Sequence, residues 1–391
     1  MSRRRTNPRS RVRNVTTQAR QRLSPLATFF QDRLRGWVET HLTPRFTGLV
    51  KFVPGRLIEL VATHWPHRPP VGGYKPTFYV DGRELRNTLS KRVILRGVNK
   101  MSVDDGSDPV GAITFPEIRK SGANSVRIVW RIAKDGIPTN PATLHTLIAN
   151  ARQNQLIPMI ELHDATGKWS KRYDLVAYWK QPAIVNLIKL HEAYLLVNIG
   201  NEVGDDTVSQ NDFLTFYTDA VQQMRTAGIR TPLVIDAPDW GKNLTVLNAT
   251  ASALLAADPL KNLLFSVHIY WSQANGQGGA YIHTALQNAV ALNYPLIVGE
   301  FSQYGAYVPG GSICSPAGQV DYQAVLAACH QHSIGWYAWE WGPGNAYFDP
   351  LCVVMDMTPD RMFTSLKPGW ATDVAVTSPY SIKNTSKVSM L

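Results

Sequence analysis

The chain has 391 residues, of which 44% are hydrophobic and 18% charged, a composition that excludes a protein disordered along its whole length. Its formal net charge is +11, and the whole surplus lies in the first 72 residues, where 14 Lys and Arg accompany 3 acids. No run reaches the ~18 consecutive apolar residues that a membrane-spanning helix needs, so the sequence predicts none.

Residues 1–73 are predicted to form a basic, Arg-rich N-terminal extension, partly disordered or organised as short amphipathic helices. Such a charge pattern suits an anionic membrane surface as a partner, and it equally suits a solvated tail without a partner. We predict no specific nucleic-acid partner. The basic start resembles that of a signal peptide, but no clear apolar segment with a cleavage site follows, so no export signal is legible.

The remaining residues, 74–391, alternate short β-rich apolar runs with amphipathic stretches, beyond a Pro/Gly-rich boundary near 67–76. The eight apolar runs are 93–99, 124–130, 156–164, 194–202, 231–240, 263–271, 294–301 and 334–341. Helical spacing is found in 141–155, 212–228, 281–293 and 320–332. Near-continuously apolar strands joined through helices predict a parallel sheet covered on both faces. Eight such units predict an α/β fold, a (β/α)8 TIM barrel, with an open doubly wound sheet as the alternative.

Polar or aromatic side chains stand at the carboxyl end of every run, where the active sites of such barrels are built. Two acids, Glu202 and Glu300, each close an otherwise apolar run, and the barrel would bring them into one pocket. A facing pair of carboxylates is the machinery of glycoside hydrolysis. Tryptophans near the strand ends suit the flat faces of sugars. No metal or cofactor is predicted, because the histidines show no spacing typical of metal ligands.

Three cysteines allow at most one disulfide and match no metal-binding spacing. Cys314 and Cys352 lie in Gly/Pro-rich stretches typical of loops, which favours a bond between them but does not decide it. Cys329 lies in a helical pattern and is predicted to be a small core residue. A disulfide would favour an oxidising compartment.

Six motifs occur at these strand ends: GANSVRIVW, MIELHDATG, VNIGNEVGD, FSVHIYW, LIVGEF and WYAWEW. In this order they resemble the motif set of glycoside hydrolase family 5. Within that family, ELHDATG, VIDAPDWG, ADPLKNLLFSVHIY and IKNTSK are most similar to the bacterial endo-β-1,4-mannanases. The resemblance spans residues 78–387 and implies a retaining, endo-acting hydrolase of β-1,4-linked polysaccharide, namely mannan or glucomannan. A cellulase of the same family and a catalytically inactive carbohydrate-binding protein are the alternatives.

The resemblance also implies roles for individual residues. Glu202 would be the acid/base and Glu300 the nucleophile, with their carboxyl groups ~5–5.5 Å apart. Asn201 would bond the sugar 2-hydroxyl, and Arg127 would keep the nucleophile ionised. The rest of the sugar-binding set comprises His163, His268 and Tyr270 around the cleaved bond, Trp339 as the platform, and Trp341 or Trp240 as a further wall.

The chain departs from the mannanase pattern at three positions. Lys100 replaces a histidine after RGVN, Val203 replaces the proline that usually follows Asn-Glu, and Trp271 stands where an acid is common. These changes leave the hydrolytic step intact and put the sugar preference in question. By family analogy, a polymer substrate implies an extracellular or cell-surface enzyme, and we expect a monomer.

Overall fold

The computed structural model describes residues 75–307, 309, 311–347 and 349–387. The predicted basic extension, residues 1–73, lies outside the described residues. Its boundary with the catalytic domain and its affinity for anionic membranes therefore remain predictions.

Eight parallel strands form a closed barrel, which confirms the eight-unit prediction. The barrel strands are β4 (Arg96–Lys100), β5 (Ser125–Trp130), β8 (Ile157–Leu162), β9 (Leu196–Asn198), β10 (Leu233–Asp236), β11 (Leu263–Ile269), β12 (Leu296–Phe301) and β13 (Gly335–Ala338). Each strand pairs with the next one in the chain, and β13 closes on β4. Every residue of these strands is buried, which explains why the runs are apolar throughout rather than alternating.

Helices cover the outside of the barrel. They are α1 (Thr114–Lys120), α2 (Pro141–Gln153), α3 (Arg172–Trp179), α4 (Pro182–His191), α5 (Gln210–Thr226), α6 (Leu244–Ala257), α7 (Gly279–Ala291) and α8 (Tyr322–His332), followed by the short α9 (Trp370–Thr372) and α10 (Ile382–Thr385). The four stretches with helical spacing correspond to α2, α5, α7 and α8. Side chains cap several helix starts, for example Asn140, which accepts from Ala142 N–H, and Ser209, which accepts from Asp212 N–H.

A small antiparallel sheet closes the amino end of the barrel. It consists of β1 (Tyr79–Asp81), β2 (Glu84–Arg86) and β3 (Arg92–Val93), and a hairpin of β6 (Ala133–Lys134) and β7 (Ile137–Pro138) lies elsewhere. Phe78 and Leu85 pack against barrel-interior residues such as Met159 and Tyr337. The amide of Asn262 binds the backbone of both Phe78 and Val80 at 3.1 Å. The carboxyl end of the barrel is therefore the end left available for a site.

Among the described residues, no helix is both long and apolar enough to cross a bilayer.

Candidate active site

The two predicted acids meet at the carboxyl end of the barrel. Glu300 lies within β12, Glu202 lies in the loop after β9, and one oxygen of each carboxylate lies within 4.8 Å of the other. The strand before Glu202 ends at Asn198, earlier than the apolar run predicted, so Glu202 reaches the site from a turn. Its φ of +48° is left-handed, a conformation that costs about 1–3 kcal/mol for a residue other than glycine.

Glu300 accepts a hydrogen bond on each of its oxygens. Arg127 Nη1 donates to Oε1 at 2.8 Å, and the Tyr270 hydroxyl donates to Oε2 at 2.9 Å. Burial raises the pKa of Glu300, and the charge of Glu202 adds to that rise, while His268 and Arg127 oppose it. Two donors aimed at one carboxyl group favour its ionised form, because a protonated oxygen would have to donate instead.

Arg127 lies wholly buried beneath the site and organises the amides around it. Its guanidinium donates to the side-chain oxygens of Asn99 at 2.9 Å, Asn198 at 2.8 Å and Asn201 at 2.7 Å. Asn201 in turn donates to Thr166 Oγ1 at 2.9 Å. The Asn201 amide is thus held in one orientation at the cavity edge.

His268 lies between the two glutamates and a third acid. Its Nδ1 lies 2.8 Å from Glu202 Oε1 and 3.7 Å from Glu300 Oε1, and its Nε2 lies 3.4 Å from Asp236 Oδ2. Burial alone would lower the pKa of His268, but the charges of Glu300 and Asp236 raise it to about 10. His268 is therefore an imidazolium at neutral pH.

The placement of His268 depends on an irregular strand and on two glycines. The pairing register of β11 with β12 shifts between Val267 and His268, the kind of bulge that redirects a side chain near an active site. A Cβ on Gly241 or Gly299 would lie 2.6 or 2.7 Å from atoms of the imidazole ring. Any side chain at either position would displace the ring.

On distance alone, Glu202, His268 and Glu300 are compact enough to hold a metal ion. A metal ligand must offer a lone pair, and a histidine charged by neighbouring carboxylates carries protons on both ring nitrogens. His268 Nδ1, the nitrogen that faces both glutamates, is already bonded to Glu202 Oε1 at 2.8 Å, so its lone pair is not offered to an ion in this arrangement.

His163 and Trp339 form one wall of the cavity. Their rings stack with centroids 5.9 Å apart and an interplanar angle of 20°. His163 Nδ1 donates to Glu161 Oε1 at 2.9 Å; burial lowers the pKa of His163, but the charge of Glu161 outweighs burial and the net pKa is raised. Trp339 Nε1 donates to Asn345 Oδ1 at 2.7 Å. The His163 ring is therefore fixed by the buried Glu161, and the Trp339 ring by Asn345, which also lines the cavity.

A cavity of about 820 Å³ opens above the glutamate pair. Seven predicted site residues line it, namely His163, Asn201, Glu202, Trp240, Tyr270, Glu300 and Trp339. Arg127 and His268 are fully buried and act on the lining residues from beneath. A second cavity of about 330 Å³ adjoins the first and shares Asp239, Lys242, Tyr270 and Tyr307 with it.

Trp341 is the one predicted site residue that the structure places elsewhere. It is fully buried in the hydrophobic core, where its Nε1 donates to the carbonyl of Arg361 at 2.7 Å. Strand β13 ends at Ala338, so the alternation that would have placed Trp341 beside Trp339 no longer applies. The expectation that Trp341 is a sugar-facing wall is corrected.

Trp240 also lines the cavity, and 41% of its surface is exposed. Asp239 and Trp240 both adopt left-handed backbone conformations, with φ of +58° and +50°. Gly167 makes room for the indole, since a Cβ there would lie 2.3 Å from Trp240 Nε1. Strained backbone at consecutive residues is typical of functional sites, where the surrounding structure maintains it.

The structure places the three residues that depart from the mannanase pattern in different surroundings. Lys100 is fully buried, where Nζ donates to the Gly342 carbonyl at 3.1 Å and pairs with Asp105 at 2.9 Å. It therefore supports the loop after β13. Val203 is buried in the core, and Trp271 borders the second cavity.

Two buried acids were missed by the sequence analysis, Glu161 in β8 and Asp236 in β10. Each contacts one of the site histidines. A signal was present in the sequence, since an acid inside a fully apolar strand must have a buried partner.

A disulfide joins Cys314 to Cys352, as the loop-like surroundings favoured. Cys352 lines the main cavity together with Ile313, the neighbour of Cys314. Cys329 is buried in the core, as predicted. The disulfide therefore links two loops that shape one side of the site.

The sequence and the fold are similar to those of known proteins. A family model described as "Cellulase (glycosyl hydrolase family 5)" matches residues 91–345, a range that contains all eight barrel strands. The mannan endo-1,4-beta-mannosidase of Cellvibrio japonicus is 30% identical over 321 residues, which cover 79% of this chain and 68% of that protein. The beta-mannanase from Streptomyces thermolilacinus with mannohexaose has a TM-score of 0.69 at 29% identity, covering 80% of this chain and 97% of the other. A mannohexaose complex of Thermomonospora fusca beta-mannanase gives 0.68 at 28% identity, covering 80% and 98%.

Proposed function

The chain belongs to the cellulase family, glycosyl hydrolase family 5, and on that premise we propose that it is a retaining, endo-acting β-1,4-mannanase. The meeting of Glu202 and Glu300 within 4.8 Å in one cavity carries the proposal. Retaining enzymes keep their two carboxyl groups ~5–5.5 Å apart, whereas inverting enzymes separate them by ~6.5–9.5 Å to admit a water molecule. The spacing here favours retention.

In the first step, a Glu300 oxygen attacks the anomeric carbon and the bond to the leaving-group oxygen breaks. Glu202 gives its proton to that oxygen, so the shortened chain leaves as an alcohol. The donors on Glu300 support this assignment, because Arg127 and Tyr270 stabilise it as a carboxylate. Asn201, fixed by Arg127, is placed to bond the 2-hydroxyl of the sugar.

In the second step, Glu202 takes a proton from water while the water oxygen attacks the same anomeric carbon. The bond to Glu300 breaks, and the carboxylate returns to its hydrogen bonds with Arg127 and Tyr270. Two displacements at one carbon restore the β configuration.

The proposed substrate is mannan or glucomannan, because the relatives reported above are named as mannanases. Trp339 and the exposed Trp240 offer ring faces for sugars across the cavity. The adjoining second cavity gives room for further sugar units beyond the cleaved bond, which supports cleavage within a chain rather than at its end.

The proposal is tested by assaying the purified protein on mannan, glucomannan and carboxymethylcellulose, with product lengths measured in each case. We expect a mixture of oligosaccharides from the two mannans and little from the cellulose derivative. Preferential cleavage of the cellulose derivative would instead identify a cellulase. Inactivity on all three, with retained binding to one of them, would identify a carbohydrate-binding protein.

A matched variant separates binding from turnover. Glu300→Ala removes the proposed nucleophile, so we expect hydrolysis to be abolished while oligosaccharide binding persists. Hydrolysis at the wild-type rate by Glu300→Ala would contradict the assigned role.

A further inference from the structure

Asp236 is a buried carboxylate that contacts three parts of the catalytic apparatus at once. Its oxygens lie 3.3 Å from Arg127 Nη2 and 3.4 Å from His268 Nε2, and Oδ2 accepts from the backbone N–H of Glu202 at 3.2 Å. Asn198 donates to Oδ1 at 3.2 Å. Asp236 is completely buried and, within the described part of the chain, is not among the residues that line the cavity.

We propose that Asp236 is a positioning residue that keeps His268 charged and oriented against Glu202. The inference rests on the proposed function, in which Glu202 is the acid/base. Asp236 does not touch the substrate in this account, and it acts through His268.

The ring of His268 has little freedom. Gly241 and Gly299 lie against its two sides, and the backbone N–H of His268 donates to the Gly241 carbonyl at 2.8 Å. In that orientation Nδ1 faces Glu202 and Nε2 faces Asp236. Nδ1 makes the hydrogen bond to Glu202, while Nε2 lies 3.4 Å from Asp236 Oδ2 without a hydrogen bond, as an ion-pair contact. A carboxylate charge this close to Nε2 favours a proton on that nitrogen, and with Nδ1 bonded to Glu202 the two acids together favour the imidazolium.

Charged groups face His268 from each neighbouring strand or loop that packs against it. Glu300 approaches from β12, Asp236 from the end of β10 and Glu202 from the loop after β9, while Arg127 in β5 bonds to both Glu300 and Asp236. Tyr270, from the same segment as His268, stays neutral because burial raises its pKa further. The raised pKa of His268 agrees with this arrangement, with Glu300 and Asp236 as the opposing charges.

Cations and acids alternate in the cluster below the cavity. Arg127 and His268 lie among the acids Asp236, Glu202 and Glu300. Both Glu300 oxygens accept hydrogen bonds, which suits a nucleophile, and the proposed acid role assigns the transferred proton to Glu202. Once Glu202 has given up that proton, the adjacent imidazolium stabilises the new carboxylate beside Glu300.

The variant Asp236→Asn tests the proposal with little change of shape. An asparagine oxygen can still accept from Arg127 and from the Glu202 N–H, but the negative charge that holds the proton of His268 is gone. We expect kcat on mannan to fall about 10- to 100-fold with KM nearly unchanged, because the lost interaction is not with the bound sugar.

The pH profile provides a readout that a merely structural role would not move. His268 is charged below its pKa, and the proposed role requires the charged form. In Asp236→Asn the pKa of His268 is lower, so activity should fall as pH rises through a range in which the wild type is unaffected. We therefore expect the alkaline limb of kcat to move to lower pH, with partial recovery on acidification. An unchanged limb would overturn the proposal.

NMR of ¹⁵N-labelled histidine tests the same point without any substrate. In the wild-type protein, the His268 ring should remain an imidazolium throughout pH 6–8, and in Asp236→Asn it should titrate within or below that range. Glu161→Gln is the control, because it removes the acid beside His163 and should leave the His268 signal in place. A neutral His268 in the wild type would overturn the proposal even if the variant fails to fold. A charged His268 in a protein that cleaves no mannan would leave the positioning contact standing and reject the proposed function alone.

Discussion

Glu300 depends on two donors that reach its oxygens, Arg127 from β5 and Tyr270 from the residue that follows β11. Arg127 is a fixed charge, and its loss would leave several buried amides without their partner. Tyr270 is the more tractable donor, because its hydroxyl can be removed with the ring left in place. The chemistry of the nucleophile can therefore be tested one hydrogen bond at a time.

In Tyr270→Phe we expect the acid limb of kcat/KM to move to higher pH. Glu300 must be ionised to attack, so activity is lost as pH falls through its pKa, which burial already raises above 4.5. Removing a donor to the charged form raises that pKa again. We expect kcat/KM at neutral pH to fall about 10- to 100-fold, the worth of a hydrogen bond to a charged group. The check is the pH–rate profile, with Tyr281→Phe in the second cavity as control; coincident acid limbs for Tyr270→Phe and wild type would contradict the assignment.

The loss of activity in Glu202→Ala should depend on the leaving group of the substrate. Mannan requires a proton on the departing oxygen, so we expect kcat/KM to fall about 10²–10⁴-fold, the usual contribution of a general acid. In an aryl mannoside with an acidic phenol, the phenolate departs without needing a proton. The first step on that substrate should therefore be far less affected. Rates on both substrates give the comparison, and Asp206→Ala, another acid at the cavity, is the control. Equal losses on mannan and on the aryl mannoside in Glu202→Ala would reject the acid role.

At the scale of elements, the barrel could be predicted because its strands are buried on both faces and are therefore apolar throughout. Because the strands were located, the site residues at their carboxyl ends could be predicted as well. The prediction was wrong where the chain continues beyond the end of a strand. Trp341 lies beyond the end of β13, and only the course of the following turn, which no periodicity encodes, places it in the core.

The partners of the buried acids could not be predicted from the sequence. Asp236 and Glu161 occupy strands that were interpreted as apolar, and their partners lie on other strands. The sequence indicates that such an acid needs a partner, but the three-dimensional register decides which one. The requirement for glycine beside His268 could not be predicted either, because it follows only from the position of the imidazole ring in the fold.

The disulfide gives a prediction about the loops on one side of the cavity. Cys314 and Cys352 are 38 positions apart, and a cross-link over such a loop contributes about 2–4 kcal/mol to the free energy of unfolding. We expect the double variant Cys314→Ser, Cys352→Ser to lose about that much stability in denaturant titrations and to show a raised KM, because Cys352 lines the cavity. Reductant should affect the wild type in the same way and leave the variant unchanged. A variant as stable as the wild type would show that the bond contributes nothing.

At the scale of the whole molecule, charge is divided unevenly along the chain, with the entire surplus in the N-terminal extension. A chain that lacks residues 1–73 should hydrolyse soluble mannan as the full-length protein does. We expect only the full-length protein to bind vesicles that contain anionic lipid, and this binding should weaken as salt rises, because salt screens the attraction. Co-sedimentation at low and high salt is the measurement. Equal binding by both proteins would show that the extension does not recognise the membrane.

The central claim is that Glu202 and Glu300 act on one sugar linkage as a retaining pair, and the anomeric configuration of the first product tests it most directly. Proton NMR during the early minutes of mannan hydrolysis distinguishes the two anomers of each new reducing end before they interconvert. If the pair is retaining, the β anomer appears first and the α anomer forms only later, by mutarotation. Initial release of the α anomer would mean that water attacks in a single displacement, and it would contradict the account.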